Sequence, residues 1–231
     1  MLKTDKQCTK NIIEWKNIDN SEYYENMPVE AFRDFAVRGG FENGCDIDLF
    51  YHHIADKNSV MELGAAYGRV IRYLLEKEYK GTIFAIERSK NFYNHLIKQF
   101  GDKAIIFNAD MQNFIPPSKI DVILFLWSGI SDFAQSEHLK LLAYLVSWLN
   151  HGGLLILDTI LHTLFPKNVT TAQDQSYIAH SEYGGIARGY TPSKQEVTGY
   201  AKRLGLKVIQ QIDYKTLTQR ERILHILGLC D

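Results

Sequence analysis

The stretch SVMELGAAYGRV, at residues 59–70, constrains the fold more than any other part of the chain. In its first half Val60, Met61 and Leu63 supply the apolar run typical of a strand that is buried on both faces. The turn from Gly64 to Gly68 then reverses the chain with little side-chain bulk, and glycine tolerates both a positive φ and a close ligand. Apolar residues recur at helical spacing after this turn. A strand, a glycine turn and a helix in this order predict a ligand site at the carboxyl end of the first strand.

Strand and helix patterns alternate after this turn, which indicates an α/β domain. The first five strand runs lie at residues 60–63, 82–86, 104–107, 121–126 and 154–157. Only a short polar link separates the last two runs, residues 206–212 and 223–229, so these two strands should pair antiparallel. The chain is therefore predicted to form a Rossmann-like three-layer sandwich, with a mostly parallel seven-stranded sheet and an antiparallel C-terminal strand.

Residues 1–57 show no strand pattern, so we expect them to form an N-terminal helical cap. Short helices are expected at residues 21–27 and 28–37, and Asp46 resembles the N-cap of a further helix. The remainder, residues 58–231, is predicted to be the ligand-binding domain, with which the cap forms one compact unit.

The composition of the 231-residue chain excludes several classes of protein. A hydrophobic fraction of 45% is enough for a full core, and a formal net charge of −1 gives no general attraction for nucleic acid or an anionic membrane. Three scattered cysteines without metal-ligand spacing indicate a reducing compartment, and the polar residues 1–10 lack the apolar core of a signal peptide. We therefore expect a cytoplasmic monomer or homodimer without nucleic acid or membrane partners.

Polar or aromatic side chains stand at the carboxyl ends of four successive strands, the edge at which open α/β sheets bind ligands. Glu62 precedes the glycine turn. Glu87 ends the second strand about 20 residues beyond the glycines, where a carboxylate can accept both hydroxyls of a ribose. Asp110 follows the third strand, and its carboxylate can receive the exocyclic amine of adenine. Trp127 follows the fourth strand and can cover a purine or line a substrate pocket.

These motifs together resemble those of the class I S-adenosylmethionine-dependent methyltransferases, over about residues 45–229. The stretch VMELGAAYGRV, at residues 60–70, carries most of the resemblance. Further matches to the family are FAIERS at residues 84–89, NADM at 108–111 and the turn LNHGG at 149–153. The tetrapeptide DLFY, at residues 48–51, looks like the small-molecule branch of the family.

The resemblance implies S-adenosyl-L-methionine as the cofactor. By the same resemblance, the loop from Gly64 to Gly68 would hold the methionine moiety, Glu87 the ribose hydroxyls and Asp110 the adenine amine. The full set of residues expected to bind the cofactor is Tyr24, Glu62, Gly64, Ala65, Gly68, Arg69, Glu87, Arg88, Asp110, Met111, Leu126 and Trp127.

One residue departs from the family pattern. Ala66 stands where the family usually has a glycine, and its methyl group narrows the approach for the amino-acid end of the cofactor. A nicotinamide- or flavin-binding domain is the rival within the fold class, because Glu87 would serve equally well on its ribose. Against this rival, Val70 occupies the position of the third glycine of the dinucleotide fingerprint, and no second mononucleotide-binding half follows.

Residues 161–190 follow neither the helix nor the strand period, so we expect a long loop that shapes an acceptor pocket. Arg188 can pair with a carboxylate of the substrate, and Asp158 at the end of the fifth strand can orient an amine. The expected substrate-binding residues are Trp127, Asp158, Tyr183 and Arg188.

His162 lies just beyond the fifth strand and is the candidate general base, although positioning alone supplies much of the rate of methyl transfer. Asp132 and Asp158 lie near the edge where catechol-type enzymes bind a metal. No adjacent acid–amide set accompanies them, so no metal is predicted.

The leading hypothesis is an enzyme that transfers a methyl group from S-adenosylmethionine to a nitrogen or oxygen of a small molecule. Two alternatives stay open. One is a catalytically silent cofactor-binding protein, because Ala66 is unusual and no base is obvious. The other is a protein or peptide methyltransferase, which a long loop would permit. The methyl acceptor itself is not encoded in any recognisable motif.

Overall fold

The computed structural model describes residues 20–161, 169–171 and 175–229, the segment at 169–171 by its backbone alone. The strands in these ranges are β1 (Ser59–Leu63), β2 (Thr82–Glu87), β3 (Ile105–Asn108), β4 (Ile120–Phe125), β5 (Leu149–Ile160), β6 (Val169–Thr171), β7 (Ser176–His180), β8 (Ile186–Tyr190), β9 (Leu206–Lys215) and β10 (Glu221–Leu229). The helices are α1 (Ser21–Glu25), α2 (Val29–Gly39), α3 (Cys45–Asp48), α4 (Tyr51–Ile54), α5 (Arg69–Glu76), α6 (Lys90–Phe100), α7 (Gln135–Val146) and α8 (Lys194–Arg203), with a 3₁₀-helix at Gly129–Asp132.

Seven of these strands form one sheet in the order β3-β2-β1-β4-β5-β10-β9. Every neighbouring pair from β3 to β5 is parallel, whereas β10 runs antiparallel to both β5 and β9. The link between β9 and β10, residues 216–220, is too short for a parallel crossover. The predicted mostly parallel, seven-stranded sheet with an antiparallel C-terminal strand is therefore confirmed.

The central strands of this sheet are covered on both faces, which explains their continuous apolar runs. Val60 and Val122 pack on one face, while Met61 and Ile123 pack on the other, as expected for side chains that alternate along a strand. Residues of α3 to α6 contribute to the first core, and residues of α7 and α8 contribute to the second. The predicted three-layer sandwich is thus confirmed.

Asp46 does not act as the predicted N-cap of a long helix. It lies inside α3, which follows Gly44 in the left-handed conformation, and the expected helix is divided into α3 and α4. The Asp46 side chain instead turns inward to a buried arginine, Arg69. A strong charge partner outside the helix has overridden the local capping preference.

The prediction of a long loop at residues 161–190 is wrong for the described part of that segment. Strands β6, β7 and β8 form a separate three-stranded antiparallel sheet. These strands are short, and their sequences combine polar residues, alanine and glycine without the alternation that identifies a strand in a sequence. Tertiary contacts, not local preference, hold the small sheet in place.

The N-terminal helices pack over the carboxyl edge of the large sheet. The side-chain amide of Asn20 donates to the carbonyl of Arg188 at 2.9 Å and to the carbonyl of Asp132 at 3.2 Å. Asn91 of α6 donates to the carbonyl of Met27 at 2.9 Å. These contacts join the two ends of the α1 segment to β8 of the small sheet, to the 3₁₀-helix and to α6. Within the described ranges, no helix combines the length and the apolar character needed to cross a membrane.

Arg69 and Asp46 form a buried ion pair at the start of α5. Their two hydrogen bonds measure 2.6 and 2.7 Å, and the side chains are 5% and 0% exposed. Arg69 also donates to the carbonyl of Phe41 at 3.2 Å. The pair therefore fastens the segment that follows α2 to the helix that begins after the glycine turn.

The substitution Asp46→Asn should lower the free energy of unfolding by about 3 kcal/mol or more, because it leaves the Arg69 guanidinium buried without a counter-charge. Urea denaturation measures the change. The matched control is Asp213→Asn, which breaks the exposed 3.1 Å pair with Lys194 and should cost less than about 1 kcal/mol. Equal losses in the two variants would contradict the role given to the buried pair.

Candidate functional site

A cavity of about 440 Å³ opens at the carboxyl ends of β1, β2 and β4. The turn between β1 and α5 lines it on one side, α1 and Phe32 of α2 cover it, and residues that follow β3 and β4 line it on the other side. The order of the strands reverses between β1 and β4, and open α/β sheets bind ligands at such a point.

Glu87 ends β2 and holds the glycine turn in place. Its carboxylate accepts hydrogen bonds from the backbone N–H groups of Ala66 and Ser89, both at 2.8 Å. Burial raises the pKa of Glu87, while the two N–H groups act in the opposite direction. Each carboxylate oxygen has a further lone pair, so Glu87 can also accept hydrogen bonds from the hydroxyl groups of a ligand in the cavity.

Glu62 contributes a buried oxygen to the same lining. Within the described residues its Oε2 atom has no hydrogen-bond partner, and burial raises the pKa of Glu62 well above its usual range. Gly64, two residues on, has a left-handed φ of 70°, and a Cβ atom added there would meet no atom within 4 Å. A carboxyl oxygen without a hydrogen-bond partner, next to backbone that no side chain covers, can bind a polar or cationic group of a ligand.

The residues that follow β3 and β4 form the opposite wall of the cavity. Asp110 accepts a hydrogen bond from the N–H of Gln112 at 2.9 Å and lies 3.6 Å from the guanidinium of Arg88. Met111 and Leu126 add apolar surface beside it. An apolar wall with a carboxylate at its end suits an aromatic base that carries an amine.

Strand β4 runs into two consecutive residues with left-handed backbone, Trp127 at φ 52° and Ser128 at φ 60°. Such conformations cost about 1–3 kcal/mol each and persist only where the surroundings fix them. Here Asp158 accepts a hydrogen bond from the Ser128 N–H at 2.9 Å and another from Arg222 at 2.5 Å. Arg222 also donates to the Ser128 hydroxyl at 2.6 Å. This network holds the backbone turn that carries Trp127, whose ring packs against Phe32 and Phe41.

A second cavity, of about 510 Å³, lies on the side of the small sheet. Its walls come from α2, from β7 and β8, and from the start of β10. Of the residues that the structure describes, three line both cavities, namely Tyr24, Trp127 and Asp132. Two cavities that meet at shared side chains can hold two ligands next to each other.

Asp132 lies at this junction, at the end of the 3₁₀-helix after β4. The Tyr24 hydroxyl donates to its Oδ2 atom at 2.7 Å. The Tyr177 hydroxyl lies 3.4 Å from its Oδ1 atom and 3.2 Å from the carbonyl of Ser131. Burial raises the pKa of Asp132 to about 6, against the opposing hydrogen bonds of the tyrosines and the field of Arg88. This carboxyl group therefore changes its charge close to neutral pH.

The structure brings most of the residues expected from the sequence into these two cavities. Those that line the first cavity are Tyr24, Glu62, Gly64, Ala65, Arg69, Glu87, Arg88, Asp110, Met111, Leu126 and Trp127. Trp127 and Tyr183 line the second cavity. His162, the expected general base, lies outside the described residues.

Two expected cofactor residues serve the fold. Gly68 lines neither cavity, and a Cβ atom there would collide with the ring of Phe100, so this glycine allows α5 and α6 to pack closely. Arg69 reaches the wall of the first cavity, but its guanidinium is held by Asp46 and the carbonyl of Phe41.

Two expected substrate residues line neither cavity. The oxygens of Asp158 accept hydrogen bonds from Ser128, Arg222 and Tyr214, which keeps this carboxylate inside the protein. Arg188 pairs through its backbone with the side chain of Asn20. The placement of Asp158 and Arg188 therefore does not support direct contact with a substrate.

Asp132 is the main candidate that the sequence does not reveal. Its position a few residues beyond β4 is the only signal, and from the sequence this marks it merely as a candidate metal ligand. Among the described residues, no group of three or more His, Cys, Asp or Glu side chains is arranged to hold a metal ion. Its contact with Tyr24 spans 108 residues of sequence and emerges only in the folded chain.

No family model matches the chain, and no curated protein matches its sequence. Among solved structures, an S-adenosylmethionine-dependent methyltransferase from Clostridium acetobutylicum aligns with 87% of this chain and 99% of its own, at a TM-score of 0.67 and 14% identity. The 1,6-didemethyltoxoflavin-N1-methyltransferase of Burkholderia thailandensis was solved with 1,6-didemethyltoxoflavin and S-adenosylhomocysteine bound. It aligns with 88% of this chain and 84% of its own, at a TM-score of 0.64 and 11% identity. The glycopeptide N-methyltransferase MtfA, bound to S-adenosylmethionine, aligns with 82% of this chain and 95% of its own, at a TM-score of 0.65 and 16% identity.

The chain therefore has the fold of the S-adenosylmethionine-dependent methyltransferases. The resemblance to the class I family that the sequence motifs indicate is confirmed at the level of the fold. At identities of 11–16%, these likenesses do not carry an acceptor from one protein to another.

Ala66 has a left-handed φ of 47°, a conformation that glycine adopts without the steric cost of a Cβ atom. We expect Ala66→Gly to raise the free energy of unfolding by about 0.5–1 kcal/mol, because the relief of strain exceeds the added flexibility of the unfolded chain. The control is Ala65→Gly, which removes a buried methyl group from a residue without a positive φ and should destabilise the protein. Urea denaturation of both variants makes the comparison, and equal losses would contradict this interpretation.

Asp132→Asn tests the buried charge through the pH dependence of stability. The folded-state pKa of about 6 lies above the ordinary value of 3.8, so ionised Asp132 destabilises the fold above pH 6, and this penalty is lost as the pH falls from 6 towards 4. The variant should be more stable than the parent at pH 8, by on the order of 2 kcal/mol, and its advantage should shrink as the pH falls to 5. Unfolding curves across this range measure the difference. A difference that does not vary with pH would argue against a buried charge.

Proposed function

We propose that the protein is an enzyme that transfers a methyl group from S-adenosyl-L-methionine to a nitrogen or oxygen of a small molecule. The observation that carries this proposal is the Glu87 carboxylate, which fastens the glycine turn through Ala66 and also lines the first cavity. Support comes from the shared fold, since two of the similar proteins were solved with S-adenosylmethionine or S-adenosylhomocysteine.

The residues of the first cavity fit this cofactor. The Glu62 oxygen without a hydrogen-bond partner and the uncovered backbone at Gly64 suit the methionine end of the cofactor. Glu87 suits the ribose hydroxyls, and Asp110 with Met111 suits the adenine. When bound, the cofactor supplies an electrophilic methyl group, which needs only an unprotonated nucleophile held in line. The other proposed contacts are Tyr24, Ala65, Arg88, Leu126 and Trp127.

The second cavity supports a small acceptor. Its volume of about 510 Å³ lies in the usual range of small-molecule sites. Trp127 and Tyr183 are the expected substrate residues that line it. By their names, two of the similar proteins methylate nitrogen, one on a toxoflavin precursor and one on a glycopeptide. We therefore keep transfer to a peptide-linked acceptor as the alternative.

Calorimetric titration with S-adenosylhomocysteine and its 2′,3′-dideoxy analogue tests the cofactor site. We expect the parent to prefer the natural ligand at least tenfold, because a hydrogen bond to a charged group contributes about 1.5–3 kcal/mol. Glu87→Gln should weaken binding and remove this preference. Because the same change can disturb the turn, the loss of discrimination, and not the loss of affinity, is the decisive result.

The control for this experiment is Glu76→Gln, which removes an exposed carboxylate of α5 outside both cavities and should keep the parent's preference. No binding of S-adenosylhomocysteine to the parent would refute the proposed function. Binding without methyl transfer to any amine, phenol or carboxylate of a broad panel would instead favour the catalytically silent alternative.

We further propose that the enzyme is cytoplasmic, that it is a monomer or a homodimer, and that it has no nucleic acid or membrane partner. The net charge of −1 and the three scattered cysteines are its support. Light scattering of the full chain measures the oligomeric state.

A further inference from the structure

Resting on this proposed function, we propose that the methyl acceptor is an amine, and that the Asp132 carboxylate binds its ammonium form and takes up one of its protons. Asp132 lies where an acceptor in the second cavity would meet a cofactor in the first, because it lines both cavities. Among the described residues it shares this property with Tyr24 and Trp127 alone. It would thus be a catalytic residue that also selects the class of substrate.

The hydrogen-bond partners of Asp132 are both neutral. Tyr24 donates to one carboxylate oxygen at 2.7 Å. The Tyr177 hydroxyl lies 3.4 Å from the other oxygen and 3.2 Å from the carbonyl of Ser131, and it shares its single proton between them. A carboxylate offers about four acceptor positions, so two of them remain for a ligand. In the part of the chain that the structure describes, Asp132 forms no ion pair within 4.0 Å.

A half-buried carboxylate without a cation beside it is unfavourable, and a cationic ligand that enters the cavity would supply the missing charge. An ammonium group can donate to the remaining positions of Asp132 and pair with its charge. An alcohol of the same shape would add only a neutral hydrogen bond, which is about half as strong. The site should therefore discriminate between amines and alcohols.

The other charged and titratable groups around the junction leave this role to Asp132. Arg222 of β10 is already paired with Asp158, and Arg188 of β8 lines neither cavity. Arg88 lowers the pKa of Asp132 through its field, but burial outweighs it and brings the pKa to about 6. Besides Glu62, Arg69, Glu87 and Asp110, the further titratable groups that line one cavity or the other are Glu22, Tyr23, Glu25, Arg38, Tyr67, Glu137, His180, Glu182, Tyr183 and Arg220.

A carboxyl group with a pKa of about 6 is ionised at neutral pH, and it is more basic than an ordinary carboxylate. One proton of the bound ammonium moves to an oxygen of Asp132 and leaves a lone pair on the nitrogen. The nitrogen then forms a bond to the methyl carbon while the S–C bond breaks and its electron pair stays on the sulfur. The positive charge ends on the methylated nitrogen, and the Asp132 proton returns to solvent.

The test uses the full chain saturated with S-adenosylhomocysteine and matched pairs of probes: benzylamine with benzyl alcohol, phenethylamine with phenethyl alcohol, and cyclohexylamine with cyclohexanol. Calorimetry or ligand-observed NMR measures their binding. We expect the amines to bind at least tenfold more tightly than the alcohols. Asp132→Asn should remove this preference and keep the affinity for S-adenosylhomocysteine within twofold, which shows that the variant is folded.

The matched control is Glu76→Gln, which removes an exposed carboxylate outside both cavities and should leave the preference for amines intact. A second readout is the pH profile of labelled methyl transfer to the tightest-binding amine. In the parent the rate should fall below pH 6, and in Asp132→Asn it should be at least tenfold lower and lose this acid limb.

The outcomes separate this inference from the function on which it rests. A parent protein that does not bind S-adenosylhomocysteine would refute the proposed function itself. If that ligand binds, but amines bind no better than alcohols, or Asp132→Asn keeps the preference, only the assignment of Asp132 and of the amine acceptor is overturned.

Discussion

The Asp158 carboxylate, buried at the end of β5, determines the geometry of the edge on which both cavities are built. It accepts hydrogen bonds from Ser128 after β4, from Tyr214 on β9 and from Arg222 on β10. A buried ion pair stabilises a fold only when its remaining hydrogen bonds are also made, and here one of them fixes a left-handed turn. The antiparallel strand β10 is therefore part of the site, because it carries the arginine that completes this network.

Because that turn is fixed, the residues after it take defined positions. The 3₁₀-helix begins directly behind it and ends at Asp132, where the two cavities meet. Gly189 of β8 lies so close to the carbonyl of Ser131 that any side chain would collide with it. The small sheet thus packs on the 3₁₀-helix at backbone distance and brings Tyr177 to Asp132, while α1 brings Tyr24 from the other side. Neither tyrosine belongs to the large sheet, yet both depend on its edge.

The sequence predicts the large sheet and the lining of the first cavity much better than the second cavity. Glu62, Gly64 and Glu87 stand at the ends of buried parallel strands, whose apolar runs and glycine turn are visible in one dimension. The second cavity combines the N-terminal helices, which the sequence does predict, with a small sheet that lacks alternation and with the left-handed turn after β4, and no periodicity indicates the position of either of these. Asp158 illustrates the limit: its position at a strand end is predictable, but its partner lies 64 residues away. Only the pairing of β5 with β10 shows that the Asp158 carboxylate is bound by Arg222 inside the protein.

Ala66 shows how the first cavity and its turn depend on each other. Its left-handed backbone is strained, and its N–H group donates to the Glu87 carboxylate at 2.8 Å. The group proposed to accept ribose hydroxyls is therefore also the group that holds the strained turn in place. A hydroxyl that donates to Glu87 would favour its ionised form, which burial disfavours, and the ionised form is the better acceptor for the Ala66 N–H. Ligand binding and the hydrogen bond from Ala66 to Glu87 should therefore stabilise each other. Alanine at this position leaves the cavity open, and it makes the conformation of the turn depend on Glu87.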